Sequence, residues 1–538
     1  MRLWILLVSV TAAFISTAQT SPDTYWIQFT DKTNTPFSID QPHEFLSSRA
    51  IARRTAQNIP IDGLDLPVDP AYINTVLAQG DVQLHNRSKW LNAITIRTQD
   101  QQALQQIADL SFVQQMRSSR GHSVRSIEKL VENAPRDLDY GPSILQVGMM
   151  NGDLLHELSQ GENMLIGILD SGFENANTSV AFTDLYGRGG VLFTADLVAH
   201  DGDVYNDNNH GRSVLSCMAA VLPGALIGTA PAADYVLVRT EDTGSEFIVE
   251  EDNWIAGAEL CDSIGCDVIN SSLGYILFDD PDQDHTYWDM DGNTTRVSIA
   301  AGIASAKGMI TVVSAGNQRN NDWFFIGAPA DAHDILAVGG VGGDEVPAPF
   351  SSFGPSADGR VKPDVSAMGM GTLAADWDGT VVPVNGTSFA SPLVAGLAAC
   401  LWKLHPWATA SQVMHAIRES SSHYDDPQPQ LGYGIPDFML AHQLLQMMVG
   451  VEGSSIASDL QLYPNPFSDR IFVRNNAMSI CEVVIKDMLG RTVHRTAHQP
   501  SADGNWIEGL STLPAGTYVL VIRQEGSELR TRLTKADR

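Results

Sequence analysis

The chain has 538 residues, 43 % hydrophobic and 18 % charged, a globular composition long enough for about three or four domains that excludes a disordered or fibrous chain. The formal net charge is −30, nearly all of it within residues 141–458, with near-neutral flanks; a nucleic-acid partner, which needs a basic footprint, is excluded. Only one apolar run approaches membrane length, at the extreme N-terminus, which argues against several membrane-spanning helices.

That run opens with Met1-Arg2, continues through LWILLVSVTAAFIS and closes on Ser16-Thr17-Ala18. A basic start, a short apolar stretch and small residues at its end predict a secretory signal peptide over residues 1–18. Residues 22–117 alternate between strands (25–29, 90–98, 112–117) and helices (45–54, 70–79, 99–110), as a small α+β unit does. Residues 118–140 follow as a linker, polar and aperiodic from Ser118 to Arg136.

Over residues 141–448 the pattern changes. Apolar strands at 164–170, 235–240, 267–273, 309–317 and 335–341 alternate with helices at 210–222, 251–263 and 296–308, followed by helices at 387–405 and 410–421. Fully apolar strands between helices predict an α/β domain, an open parallel sheet with helices on both faces. A Gly/Ser linker at 450–459 leads into residues 459–538, where short strands at 462–474, 481–490, 490–496, 506–509 and 516–526 predict a small β-sandwich. The five cysteines are an odd number, so at least one thiol stays unpaired. Cys217 and Cys400 read as buried small hydrophobes, and Cys261 and Cys266 lie close enough in sequence to pair.

Sites on open α/β sheets form beyond the carboxyl ends of the strands. Asp170 ends the first apolar strand in ILDSGF, and Asn317 ends another in SAGN. His210 opens a helix in NNHGRSVLS, and Ser388 opens one in NGTSFASP. A serine hydroxyl is a weak nucleophile until a base lies within hydrogen-bond reach. A histidine of pKa ~6.5 can take that proton and return it to a leaving amine. A buried carboxylate holds the imidazole in one tautomer and stabilises its charged form. The Ser388 backbone N–H and the Asn317 amide can donate to a developing oxyanion. Gly386 lets the backbone turn before the serine, and Pro392 is expected in the first turn of the helix. Ala390, Ser391, Ala395, Gly396, Ala398 and Ala399 make a thin helix suited to central burial, and Gly211 is expected to leave the imidazole uncrowded.

ILDSGF, NHGRSV, SAGN and NGTSFASP, in this order, resemble the four blocks of the subtilisin family of serine peptidases, over about residues 141–448. The resemblance implies a subtilisin-like fold and an endopeptidase working through an acyl-enzyme. Asp170, His210 and Ser388 would be its triad and Asn317 its oxyanion donor. Ser272-Leu273-Gly274 would pair with the substrate backbone and wall the first specificity pocket. Arg212 stands where the family usually has Thr, a charge expected to bear on substrate preference. No cofactor is required for the chemistry. The family often binds structural calcium, for which DGDVYNDNN (201–209) and Asp289-Met290-Asp291-Gly292-Asn293 offer oxygen ligands, neither matching the twelve-residue calcium loop.

Residues 22–117 resemble the family's inhibitory propeptide, which makes the chain a zymogen with 118–140 as its processing region. Residues 459–538 resemble the C-terminal sorting domain of the type IX secretion route of Bacteroidota, through Tyr463-Pro464-Asn465-Pro466, DMLGR (487–491) and LPAGTYVLVI (513–522). The implied partners are polypeptide substrates, the chain's own propeptide and outer-membrane secretion machinery, and the implied location is secreted or cell-surface. A catalytically silent peptide-binding protein would have no need of all four segments. An esterase would show Gly-x-Ser-x-Gly, whereas Ser388 lies in Gly386-Thr387-Ser388-Phe389-Ala390.

Overall fold

The computed structural model describes residues 23–119 and 138–452, and, within 461–536, all but 465, 475–480, 487–491, 499–504 and 525–526. The expected signal peptide, most of the 118–140 linker and most of the 450–459 linker lie outside the described residues.

The N-terminal unit contains β1 (Thr24–Phe29), α1 (Ser48–Ala56), α2 (Pro70–Leu77), β2 (Gln83–Ser88), β3 (Ala93–Arg97), α3 (Gln101–Ala108) and β4 (Val113–Ser118). Its antiparallel sheet runs β2-β3-β1-β4. Ile27, Ile94 and Ile96 of the sheet pack with Ile73 and Val76 of α2 and Leu104 and Ile107 of α3. The helices start where Asp69 and Asp100 accept backbone N–H groups, as N-caps do. Ser118 and Ser119, expected in the linker, belong to this unit: Ser118 ends β4, and Ser119 is fully buried.

The central unit opens with α4 (Ile144–Gly148), α5 (Gly152–His156), β5 (Leu165–Asp170), α6 (Thr183–Gly187), β6 (Val191–Asp196) and α7 (His210–Ala219). A short hairpin of β7 (Val221–Leu222) and β8 (Leu226–Ile227) precedes β9 (Asp234–Arg239), α8 (Val249–Ile264), β10 (Val268–Ser271), α9 (Arg296–Ala306), β11 (Ile310–Ser314), β12 (Leu336–Val341) and β13 (Val365–Met368). The unit closes with the hairpin β14 (Met370–Ala375)–β15 (Val381–Asn385), α10 (Thr387–Leu404), α11 (Ala410–Glu419) and α12 (Phe438–Glu452).

Seven strands form one parallel sheet in the order β13-β12-β11-β10-β5-β9-β6. β5, β10, β11 and β12 are buried along their whole length, because helices cover both faces. α7, α10 and α11 share a core with one face, and α8 and α9 with the other. From β5 the chain runs to β6 at the edge and returns as β9 between the two, then crosses to β10 on the other side of β5. This reversal opens a crevice at the carboxyl ends of β5 and β10. α7 ends at Ala219 rather than running to 222, because Ala220 turns extended ahead of β7. α12 continues to Glu452, into the expected linker.

The C-terminal unit contains β16 (Gln461–Tyr463), β17 (Ile471–Arg474), β18 (Cys481–Lys486), β19 (Thr492–His498), β20 (Asn505–Ile507), β21 (Gly516–Gln524) and β22 (Ser527–Lys535). Two sheets, β16-β17-β20 and β19-β18-β21-β22, enclose a core of Phe467, Ile471, Val483, Ile485, Ile507, Leu520 and Leu533. This is the expected small β-sandwich. α12 lies against β22, so the unit touches the central domain.

The second face of the N-terminal sheet docks on α8. Glu259 accepts from Ser88 Oγ (2.7 Å) and from the backbone N–H groups of Lys89 (2.7 Å) and Trp90 (3.0 Å). Asp262 receives Arg53 (2.6 Å), Arg54 (2.8 Å) and Lys89 (2.8 Å). Burial alone would raise the Asp262 pKa, but Lys89, Arg53 and Arg54 hold it below the ordinary value. Burial pushes Glu259 up to about 7. Asp262 is wholly buried, so its loss leaves buried cations without their counter-charge, at a cost of roughly 3–5 kcal/mol. Asp262→Ala is therefore expected to lower the denaturant midpoint at which the uncleaved chain's N-terminal unit unfolds or separates. An unchanged midpoint would show that this carboxylate does not hold the two units together.

Candidate active site

Asp170 is the last residue of β5 and is fully buried. Its Oδ1 accepts from the Ser171 N–H (2.8 Å), Ser171 Oγ (3.2 Å) and His210 Nδ1 (2.8 Å). The third bond assigns the proton of the neutral imidazole to Nδ1, which leaves Nε2 as the acceptor. His210 begins α7, where Asn208 Oδ1 accepts its backbone N–H (2.8 Å) and also receives Ser171 Oγ (3.1 Å). Gly211 answers a tighter demand than an uncrowded imidazole. A Cβ there would lie 2.5 Å from the Gly172 carbonyl oxygen and 3.0 Å from Asp170 Cβ. Only glycine lets α7 start this close to the end of β5. Burial alone would lower the His210 pKa; the charge and hydrogen bond of Asp170 outweigh it and hold the imidazole above its ordinary value.

Ser388 is the second residue of α10 and is 8 % exposed. Gly386 precedes the helix at φ +148° and ψ +148°, a conformation open to glycine alone. The His210 ring lies 5.6 Å, centroid to centroid, from that of Phe389, which brings the imidazole to the first turn of α10. Ser388 Oγ donates to the Ser272 carbonyl at 3.2 Å, and Ser272 Oγ donates to the Ser388 carbonyl at 2.8 Å. Asn317 lies three residues beyond β11 and is exposed. Its Oδ1 accepts from the Thr387 N–H (2.9 Å) and Thr387 Oγ1 (3.1 Å), which fixes the amide and leaves Nδ2 as its free donor. Residues 272–274 belong to no strand; Leu273 is half-buried and Gly274 exposed.

Pro392 is the sixth residue of α10, not part of its first turn. The carbonyl four residues earlier, that of Ser388, therefore has no helical N–H partner. Arg212 is also corrected. It is 1 % exposed and donates to the Glu174 carbonyl (2.6 Å) and to Asp376 Oδ1 (2.7 Å). It ties α7 to the β14–β15 turn and presents no charge to a substrate.

Asn270, Thr387, Asn208 and Ser391 escaped the sequence reading. Asn270 Nδ2 donates to Ser272 Oγ (3.1 Å), and Ser391 Oγ donates to Asn270 Oδ1 (2.7 Å). A lone Asn inside the apolar run DVINSSL was the available signal, since a fully buried amide needs partners.

At the two calcium candidates several carboxylate oxygens are already engaged within the chain, while Asp201 Oδ2 and Asp203 Oδ2 are buried without a hydrogen-bond partner. Asp201 Oδ1 and Asp203 Oδ1 accept backbone N–H groups at 3.0 and 2.6 Å, and Asp207 pairs with Arg239 at 3.0 Å. Asp289 caps Thr286, and Asp291 accepts the N–H groups of Asn293 and Thr294. Among the described residues no group of three or more His, Cys, Asp or Glu side chains is arranged to hold an ion. Cys217, Cys261, Cys266 and Cys400 are buried free thiols, so Cys261 and Cys266 are not paired.

The sequence profile of the Subtilase family matches residues 161–435. That of the Peptidase S8 propeptide domain of Bacteroidota matches residues 24–134, and that of the Secretion system C-terminal sorting domain matches residues 461–535. Subtilisin DY of Bacillus licheniformis is 29 % identical over 271 residues, 50 % of this chain and 86 % of its own. The subtilisin of Bacillus pumilus is 30 % identical over 288 residues, 53 % of this chain and 92 % of its own. Among solved structures, MycP1 with its N-terminal propeptide removed aligns at a TM-score of 0.44 and 22 % identity, covering 55 % of this chain and 96 % of that one. Profile and relatives agree with the sheet and the four sequence blocks: the chain belongs to the subtilase family of serine-type endopeptidases, with a propeptide before the peptidase domain and a secretion sorting domain after it.

Proposed function

We propose that the chain is an exported zymogen whose peptidase domain, residues 141–448, hydrolyses peptide bonds through Asp170, His210 and Ser388. The observation that carries this reading is the 2.8 Å bond from His210 Nδ1 to buried Asp170, beside the first turn of α10. Residues 1–18 are its signal peptide, 22–117 its inhibitory propeptide, 118–140 its processing region and 459–538 its sorting domain. It reaches the medium or the cell surface.

The substrate lays an extended backbone along Ser272-Leu273-Gly274, whose exposed glycine leaves room for it. The Ser388 hydroxyl turns from the Ser272 carbonyl to His210 Nε2, which takes the proton as Oγ attacks the scissile carbonyl. The imidazolium is held by Asp170. The new oxyanion accepts from the Ser388 N–H and Asn317 Nδ2. His210 then gives its proton to the leaving amine, and water repeats the sequence on the acyl-enzyme. No step needs a cofactor.

Ser388→Ala is expected to abolish hydrolysis of a peptide amide and to leave the 22–117 segment covalently attached, read by N-terminal sequencing. Full turnover in a preparation free of other proteases would refute the assignment. Asp170→Asn is expected to cost about 10⁴-fold in kcat. Activity requires the neutral imidazole, so kcat/KM falls as pH drops through the raised His210 pKa. Without Asp170 that acidic limb should move to lower pH, and a limb that stays in place would show that Asp170 does not set it. Deleting residues 453–538 is expected to keep turnover within a few-fold while stranding the protein in the periplasm of a host with the type IX route. Normal delivery of the truncated enzyme to the medium would contradict the sorting role.

A further inference from the structure

The Ser388 carbonyl poses a specific problem. In an α-helix it would accept the N–H of residue 392, and proline has none. Its partner is instead Ser272 Oγ, at 2.8 Å, from outside the helix. That hydroxyl is aimed. Ser391 Oγ donates to Asn270 Oδ1 (2.7 Å), which directs the Asn270 amide protons at Ser272 Oγ (3.1 Å), and the Ser272 proton is left for the Ser388 carbonyl. Asn270 and Ser391 are fully buried and Ser272 is 5 % exposed, so bulk water does not compete for these bonds.

We infer that Ser272, oriented by Asn270 and Ser391, is a positioning residue: its hydroxyl replaces the missing Pro392 N–H and so fixes the peptide plane that carries the nucleophile. The inference rests on the proposed role of Ser388 and goes beyond the substrate-pairing role of the 272–274 backbone. Thr387, the residue before Ser388, is tied independently: its N–H and its Oγ1 both donate to Asn317 Oδ1. With the peptide after Ser388 and the residue before it both held, Oγ and the backbone N–H keep a fixed relation to His210. A displacement of about 1 Å at such a centre can cost about 100-fold in rate.

The test is a pair of substitutions with a rescue. Full-length enzyme is produced and allowed to mature, its sites are counted with a fluorophosphonate, and kcat and KM on a peptide amide are expressed per titrated site. Ser272→Ala is expected to lower kcat by about 10- to 100-fold with KM within about twofold, because positioning and not binding is lost. Ser272→Thr keeps the hydroxyl and should remain within about threefold of the parent. Ser272→Ala combined with Pro392→Ala restores an N–H to the same carbonyl and should recover most of the lost kcat.

An unchanged kcat in Ser272→Ala, or a double variant as slow as the single one, would overturn the inference. Absence of titratable sites in both would also count against it, since the rescue should restore folding as well as rate. Ser388→Ala, run alongside, separates the two readings. If it is active, the triad itself is wrong. If it is inactive while Ser272→Ala is unimpaired, only the positioning role fails.

Discussion

The burial of α10 is the constraint on which the catalytic geometry depends. The helix is long and apolar enough to cross a membrane, yet 89 % of it is buried inside the protein, which makes it the core helix of the domain. It packs on α7 and on β10 to β13. Its small residues permit this. A Cβ at Gly396 would meet Thr229 Oγ1 at 2.1 Å, and that same hydroxyl bonds the Pro392 carbonyl at 3.3 Å. Such a helix has no freedom to slide or roll without forcing a larger side chain into Thr229 or emptying the other side. The position of Ser388 is thus inherited from packing along the whole helix, and the local hydrogen bonds orient its peptide within that frame.

A second theme is the division of charge. The central domain carries nearly all of the chain's −30, and part of that acid is buried. Burial raises the pKa of both Glu241 and Glu250, and the neighbouring Glu241 charge raises that of Glu250 further. Glu241 receives the Tyr275 hydroxyl at 2.7 Å, and Glu250 accepts backbone N–H groups at the start of α8. On the outer face of α8 the solution is different. Asp262 stays ionised because Arg53, Arg54 and Lys89 arrive from the N-terminal unit. The nearly neutral N-terminal unit therefore places its cations where the acidic domain has buried anions to match.

The sequence made the parallel sheet legible because its central strands are apolar along their whole length, and it made the four family blocks legible because each sits at a strand or helix end. It hid β2. The stretch QLHNRS carries a single apolar residue, but His85, Asn86 and Ser88 are buried against α8, where a neighbour across a domain boundary supplies their partners. Tertiary context overrode local pattern there. Arg212 is hidden for a related reason: a charge two residues after His210 suggests a substrate contact, and only the fold reveals Asp376, 164 residues away, as its partner. Pro392 was misplaced by a few residues, since the helix begins at Thr387, right after the glycine. That small difference in register separates a harmless N-terminal proline from one that strips the Ser388 carbonyl of its donor.

One amide shows how the two units are joined in detail. Asn253 of α8 faces both ways. Its Oδ1 accepts from Asn86 Nδ2 at 2.7 Å and lies 3.1 Å from His85 Nε2, both in the N-terminal unit. Its Nδ2 donates to the Thr240 carbonyl at 3.0 Å, and the Thr240 N–H bonds the Asp170 carbonyl at 2.9 Å. Without the N-terminal unit, one end of this carboxamide would lack both partners while the other stayed fastened to Thr240, at the end of β9 beside Asp170. A change at position 253 is therefore read twice, once by the inhibitor-like unit and once by the catalytic sheet. Neither reader can be altered there alone, so this one side chain couples the fit of the N-terminal unit to the placement of the strand end beside Asp170.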